Sequence, residues 1–472
     1  MSLEDEAAEL FEQVQELRPM LNVGCLFDIP TGRYYTGKNG ESILNGGHAL
    51  ITGVCGRGNS YKSTLTHWFN LTVVSRQSMV NALIYDTEYS LSNARINQLA
   101  EPMINIGGTD LFNPPRVRLT DGVTMGNAYW DNIRTFAEKK AKMGKKARVT
   151  TPFIVKGKSL TMLTPTAVEI DSMSQMQFDA TETINDKAQA DSKDQNALAL
   201  RDNLIKSRIL GQMPGVTNKG GLFTTVVAHM GDDLSLDPSA PPEKKLSTMK
   251  QKIKFKKVPE NFTFLTNNLY YCSGAKPHLN ADKTPYYPKD AGDRAIMDKD
   301  LQIVQVQNLR GKSGPSGVPI AIIVSQTQGL LPSLTELNYL REKKVVGTNK
   351  HPMGFGLDGT NLGYFCELYP DGKMSRTTAR GAVNDDYKLR RALEITSEMC
   401  QMQLLWKDLD AKYKITPGDL RTKLIEKGYD WDILLETRGY WIFEEANDPR
   451  PFLSTMDMLK MYHDEYKPYW MK

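Results

Sequence analysis

Between an apolar run that closes at Cys55 and the amphipathic stretch STLTHWFNLTVVSR lies the segment Gly56-Arg57-Gly58-Asn59-Ser60-Tyr61-Lys62-Ser63-Thr64. A strand, a turn of small residues and a helix in that order commit the chain to a layered α/β unit, because the turn must reverse direction over the end of the strand. The same segment carries chemistry. Small residues let successive backbone N–H groups surround a phosphate at a helix N-terminus, a lysine reaches its outer oxygens, and a hydroxyl holds Mg2+. Gly56 stands at the first position, and Lys62 and Ser63 supply the last two groups. Tyr61 occupies the place where the plain pattern has its second glycine. Gly56 to Thr64 is thus a candidate loop for ATP and Mg2+; the plainer reading is a Gly/Ser turn that caps a helix.

Apolar runs continue to alternate with helical ones through residue 173: GGHALITGVC, NALIYDTE, RVRLTD and TAVEIDSM, with GNAYWDNIRTFAEKKAKM among the segments between them. That alternation predicts parallel strands joined by crossover helices. The runs GGLFTTVVAHMG, NFTFLTNNLYYC, LQIVQVQNLR and VPIAIIVSQ follow with less helix between them, which predicts an antiparallel extension. The expected fold class is α/β, a mostly parallel twisted sheet with helices on both faces. At ~150 residues per domain, 472 residues leave room for about three units. The predicted division is an acidic amino-terminal helix and linker over 1–40, a core over 41–345, and a mostly helical carboxy-terminal unit over 346–472. That last unit should pack by itself, with a hairpin around Pro370, Asp371 and Gly372. Two long irregular insertions are expected at 174–220 and 231–260.

Composition excludes several classes. Five scattered cysteines with no CxxC spacing suggest neither a disulfide framework nor a zinc site. The amino terminus, MSLEDEAAELFEQVQEL, is acidic where a secretory signal is basic and then apolar, and no run approaches the ~20 apolar residues of a membrane span. A soluble, cytoplasmic protein with no membrane partner is expected. Lysine and arginine exceed aspartate and glutamate by 59 to 55, a net charge of +4 that names no partner by itself.

Two further strand ends carry carboxylates. Asp86 and Glu88 close the run IYDTEYS, where a carboxylate can position the water that attacks a γ-phosphate; either could equally cap the next helix. Asp171 ends VEIDSMS, the layout of an acid that holds Mg2+ through water, or of a simple turn residue. Three such features in order on three strands point to nucleotide hydrolysis.

On these residues the chain resembles the RecA-type recombinases, and in particular the UvsX-like branch of tailed phages. That branch carries an aromatic residue directly before the Lys-Ser pair, as in Tyr61-Lys62-Ser63, and a strand end much like Tyr85-Asp86-Thr87-Glu88-Tyr89. The resemblance implies a RecA-like P-loop ATPase core with Glu88 and Lys62 catalytic and with Ser63 and Asp171 at the metal. It makes His229 a polar sensor between the γ-phosphate and the DNA-binding loop. Arg310-Gly311-Lys312 and the Gly-Pro turn after it resemble the basic pair that reaches a neighbouring subunit's nucleotide. Beyond about residue 345 the likeness thins, and nothing is carried over.

The same resemblance implies a DNA-dependent ATPase that binds single-stranded and homologous duplex DNA for strand exchange. It implies a helical filament with ATP at subunit interfaces, the amino-terminal helix packed on the next protomer, and a mediator or single-strand-binding protein as possible partner. A phage-encoded protein of this kind acts in the host cytoplasm. The family's two DNA-binding loops correspond to 174–220 and 231–260. The second holds Lys244, Lys245, Lys250, Lys252, Lys254, Lys256 and Lys257 with no acid between them, and Phe255 as a candidate for base stacking. In the first loop Arg201, Lys206 and Arg208 are the candidates. Two alternatives stay open: a hexameric DnaB-like helicase, and a non-catalytic regulator with a RecA-fold ATP site.

Overall fold

The structure, a computed structural model, describes residues 17–103, 105–120, 126–178, 192–232, 253–290, 292–293, 296–343, 353–360, 362–444 and 448–471. A short buried helix α1 (Cys25–Thr31) and the hairpin β1 (Arg33–Thr36) and β2 (Ser42–Asn45) lead into β3 (Ile51–Gly56) and α2 (Lys62–Arg76). Then come β4 (Asn81–Asp86), α3 (Asn93–Ala100), β5 (Val117–Thr120) and α4 (Gly126–Lys142). The hairpin β6 (Arg148–Val155) and β7 (Lys158–Leu163) precedes β8 (Thr166–Asp171), α5 (Ser192–Gly220) and β9 (Leu222–Asp232). The core closes with β10 (Ile253–Phe255), α6 (Phe262–Leu265), β11 (Asn268–Pro277), β12 (Leu301–Gly311), β13 (Pro319–Ser325), β14 (Gly329–Leu330) and α7 (Pro332–Glu342).

Among the described residues the central sheet has ten strands in the order β14-β13-β12-β11-β3-β9-β8-β4-β5, with β10 added to the end of β9. Strands β11, β3, β9, β8, β4 and β5 run parallel, and β12 to β14 extend the sheet antiparallel. The expected fold class is therefore present. Alternation along each strand splits the core in two: Val54 and Ala167 face a cluster with Leu65 and Phe69 of α2, whereas Cys55, Val168 and Ile170 face one with Ile133 of α4 and Ile209 of α5. Helices thus cover both faces, as a parallel sheet requires. Among the described residues no helix is long and apolar enough to cross a membrane, and all five cysteines are free and buried.

Several local expectations change. Residues 192–220 form the helix α5 and not an irregular insertion, because Ile205, Ile209 and Met213 repeat at helical spacing beneath a polar surface and are wholly or partly buried. The hairpin β6–β7 turns on Lys156 and Gly157, both at positive φ (49° and 75°). Residues 17–40, expected as a linker, are largely buried, with Leu17, Leu21, Phe27 and Ile29 inside the main cluster. The amino-terminal helix expected before them lies outside the described residues.

The carboxy-terminal part also differs from the helical unit expected. It opens with an antiparallel sheet of β15 (Leu357–Thr360), β16 (Gly363–Cys366) and β17 (Tyr369–Met374). The hairpin turns on Glu367 and Leu368, since Cys366 pairs with Tyr369, and Pro370 to Gly372 lie within β17. Helices α8 (Ala379–Asp385), α9 (Tyr387–Leu405), α10 (Pro417–Glu426), α11 (Trp431–Leu435) and α12 (Thr455–Tyr462) follow. They do not pack separately, because Leu389, Leu434 and Leu459 share one buried cluster with Leu65 and Val74 of α2.

Polar contacts pin the same junction. Gln77 Nε2 donates to Trp441 O at 2.9 Å, Ser42 N–H to Asp457 Oδ1 at 2.7 Å, and Arg380 pairs with buried Asp300 at 2.8 Å. We predict that Trp441→Ala, which removes a ring that is 2% exposed and stands against Phe153 and Phe443, destabilises the whole chain by about 3–5 kcal/mol. Calorimetry then shows one unfolding transition at lower temperature; a separate tail transition that leaves the core unmoved contradicts the shared core.

Candidate functional site

Parallel register brings the chemistry-bearing residues to one edge of the sheet. Gly56 at the end of β3 pairs with His229 on β9, and Asp86 at the end of β4 pairs with Asp171 at the end of β8. The loop after Gly56 rises over this edge. A Cβ at Gly56 would meet Cys272 O and Ser60 Oγ, each at 2.6 Å, so the position tolerates only glycine. Asn59 and Tyr61 both adopt positive φ (55° and 58°). The backbone at 61 thus has the shape that the pattern's second glycine normally provides, and a tyrosine sustains it at a cost of about 1–2 kcal/mol. Lys62 is buried and folded inward: its Nζ donates to Arg57 O at 2.8 Å, and Ser60 Oγ donates to the same oxygen at 2.7 Å.

The two carboxylates after β4 do different things. Asp86 is buried and accepts N–H bonds from Glu88, Ser90 and Leu91 at 2.9, 2.6 and 2.7 Å, so it shapes the turn. Glu88 is left to face the site. Its Oε1 accepts from Ser172 Oγ at 3.1 Å and lies 2.8 Å from His229 Nε2. These contacts, with the His229 bond first among them, hold its carboxyl below the usual glutamate range against the opposing effect of burial. Thr87 knits the turn to the neighbouring strand end: its N–H donates to Asp171 O at 2.7 Å, and its hydroxyl receives the Ser172 N–H at 2.7 Å.

Asp171 is pushed up to about 6, chiefly by burial and further by Glu169 and Glu88, while His67 and a hydrogen bond from Ser63 pull the other way. Ser63 stands near enough to Asp171 to favour its ionised form, and Asp171 Oδ1 has no hydrogen-bond partner among the described residues. A carboxylate near a hydroxyl at a helix N-terminus is a donor set that suits Mg2+ carried by a nucleotide.

His229 also reaches the basic segment. Its N–H donates to Ser174 Oγ and its carbonyl accepts the Lys256 N–H, each at 2.8 Å, because β10 pairs antiparallel with the end of β9. Lys254, Lys256 and Lys257 are exposed, whereas Lys244, Lys245, Lys250 and Lys252 lie outside the described residues. Phe255, expected to stack on a base, instead packs edge-on against Phe262 at 5.4 Å and against the second buried cluster. Lys206, a candidate DNA contact, is buried: it pairs with Asp202 at 2.8 Å and donates to Lys257 O at 3.0 Å. Arg201 and Arg208 are exposed on the same helix.

Arg310 and Lys312 are not at this edge. Asn268 pairs with both Gly311 and Thr52, and Thr52 lies four residues before Gly56, or roughly 13 Å at ~3.3 Å per residue. Burial, Arg310 and Arg18 together hold the Lys312 ammonium below the ordinary lysine range. A cationic patch thus forms at the opposite edge of the sheet from the chain's own loop. Sequence reasoning missed His67, Asn70 and Glu169, which lie under the loop. Their signals were a histidine four residues after Ser63 and a glutamate two before Asp171, on the same strand face.

No family model and no curated protein matches the chain. Among solved structures, a similar one is the crystal structure of the RadB recombinase, 16% identical, covering 60% of this chain and 92% of that chain with a TM-score of 0.32. A likeness at that level carries no argument about activity.

The raised Asp171 value predicts a pH effect. Its folded-state value lies above the ordinary 3.8, so the folded chain binds this proton more tightly. The ionised form therefore costs stability above about pH 6, a cost that fades as pH falls toward 4. In chelator-treated, nucleotide-free protein, Asp171→Asn should raise stability by roughly 1–3 kcal/mol near neutral pH and by less near pH 4. Melting curves of both proteins across that range check it, and a lower melting temperature for the variant at neutral pH contradicts it.

Proposed function

We propose that the chain is a DNA-dependent ATPase of the recombinase type, which forms ATP-bridged filaments on single-stranded DNA and pairs it with homologous duplex. One observation carries the reading. Glu88 is held between Ser172 and His229 beside Asp171 and Lys62, and the backbone of that same His229 is bonded to that of Lys256, directly after strand β10. Hydrolysis and DNA contact therefore share a residue. The aromatic Tyr61 before Lys62-Ser63 and the strand end Tyr85 to Tyr89 favour the UvsX-like branch.

Arg57 to Thr64 would wrap the phosphates, with Lys62 exchanging its bond to Arg57 O for phosphate oxygens. Ser63 and Asp171 would hold Mg2+, which when bound neutralises charge on the phosphates. Glu88 is ionised at neutral pH, since its value is lowered, and faces the site with an acceptor oxygen that can orient a water and take its proton. A filled site would draw on Glu88 and so change its bond to His229, and the His229–Lys256 link passes that change to the basic strand. Lys254, Lys256 and Lys257, with the lysines before them, meet the DNA backbone.

Since Arg310 and Lys312 lie at the far edge from their own loop, they would serve a neighbour's nucleotide, as an arginine finger does in trans. Assembly would then be a condition for hydrolysis.

Two experiments test this. Glu88→Gln should bind ATP about as the wild type does while hydrolysing it about 10²–10⁴-fold more slowly with single-stranded DNA present; equal loss of binding and hydrolysis would sink the assignment. Lys62→Ala and Arg310→Ala proteins should each be inactive alone and regain part of the DNA-stimulated rate when mixed, because an intact loop can meet an intact neighbour's arginine. A mixture with no more activity than its parts rules out the shared site.

A further inference from the structure

Beneath the loop, between α2 and β8, three ionisable side chains meet away from solvent. His67, Glu169 and Asp171 are 4%, 0% and 3% exposed. One ligand atom from each lies within 4.8 Å of the others. Buried groups of this kind are ordinarily matched by directed hydrogen bonds. Here His67 Nδ1, Glu169 Oε1 and Asp171 Oδ1 each lack a hydrogen-bond partner among the described residues.

The His67 Nδ1 to Glu169 Oε1 separation is 2.6 Å, close enough for an ion pair, yet the contact does not have the direction of a hydrogen bond. Two ligands of one ion can stand in that relation, near each other without a bond between them. The other oxygen of Glu169 is occupied. Asn70 Nδ2 donates to Glu169 Oε2 at 2.7 Å and is within 2.8 Å of Thr225 Oγ1. Such outer partners fix the orientation of metal ligands.

We propose that His67, Glu169 and Asp171 hold a divalent transition-metal cation of the Mn2+ or Zn2+ class in a buried site behind the nucleotide's Mg2+ position. One imidazole nitrogen with two carboxylates is a donor set that favours a first-row transition ion over Mg2+ or Ca2+, which take oxygen shells. Two carboxylates and a neutral imidazole also match a charge of +2. Bonds of about 2.1 Å to a common ion need donors about 3 Å apart, so the pair at 2.6 Å has only to open by a few tenths of an ångström. The ion would tie α2 to β8 and hold Ser63 and Asp171 in fixed relation.

The test uses the full chain, stripped with a chelator and free of nucleotide, titrated with Mn2+ in large excess of Mg2+. Bound Mn2+ is read by electron paramagnetic resonance and by metal analysis after gel filtration. About one Mn2+ per chain is expected, retained in Ser63→Ala and lost in His67→Ala. If His67→Ala does not fold, the wild type decides, because its bound Mn2+ must show hyperfine coupling to an imidazole nitrogen. No retained ion in the wild type, an ion retained in His67→Ala, or an ion without nitrogen coupling overturns the proposal and leaves a buried imidazolium–carboxylate pair. All readouts are taken without ATP, so an inactive ATPase with an intact Mn2+ site separates this inference from the function proposed above.

Discussion

The parallel register of β3, β9, β8 and β4 is the constraint on which the rest of the molecule depends. Ladder bonds set Gly56 beside His229 and Asp171 beside Asp86, and the Thr87 bonds to Asp171 and Ser172 lock the last two strand ends together. A slip of one residue in β8 would turn Glu169 and Asp171 to the opposite face of the sheet. Both would then leave α2, and with it Ser63 and His67. The site is therefore a property of strand pairing, and its individual loops matter less than the ladder that aligns them.

That alignment has an energetic cost, visible as strain and burial at one edge. Tyr61 holds a backbone shape that suits glycine, Lys62 bonds to its own loop, and Asp171 is buried with an oxygen that finds no hydrogen bond. On the function proposed, a polyphosphate and its ion would draw on the Tyr61 turn and on Lys62, in keeping with the way strain and desolvated charge collect at functional sites. His229 gives the edge an outlet, since its ring touches Glu88 and its backbone touches β10. One residue, His229, separates Glu88 from Lys256.

What could be read from the sequence was what repeats locally or sits at a strand end. The small-residue turn, Lys62, Ser63, Glu88 and Asp171 announce themselves because a parallel sheet presents its chemistry where strands stop. Asp86 and Glu88 could not be told apart by position alone; the three backbone N–H groups gathered on Asp86 separate them. Helix α5 was hidden by polar composition and by Pro214 within it. The union of the carboxy-terminal part with the core was hidden for another reason. It rests on pairs such as Gln77 with Trp441 and Ser42 with Asp457, hundreds of residues apart, for which no local pattern exists. Phe255, an aromatic beside lysines, also packs edge-on against Phe262, a contact no local pattern announces.

The central claim is that this strand edge hydrolyses ATP in response to single-stranded DNA. Phosphate release by the wild-type chain with ATP and Mg2+, measured with and without single-stranded DNA, tests it most directly. A clear rise in rate on adding the DNA, weakened by salt, is the predicted result; a rate no greater than that of buffer, or one indifferent to DNA, contradicts it.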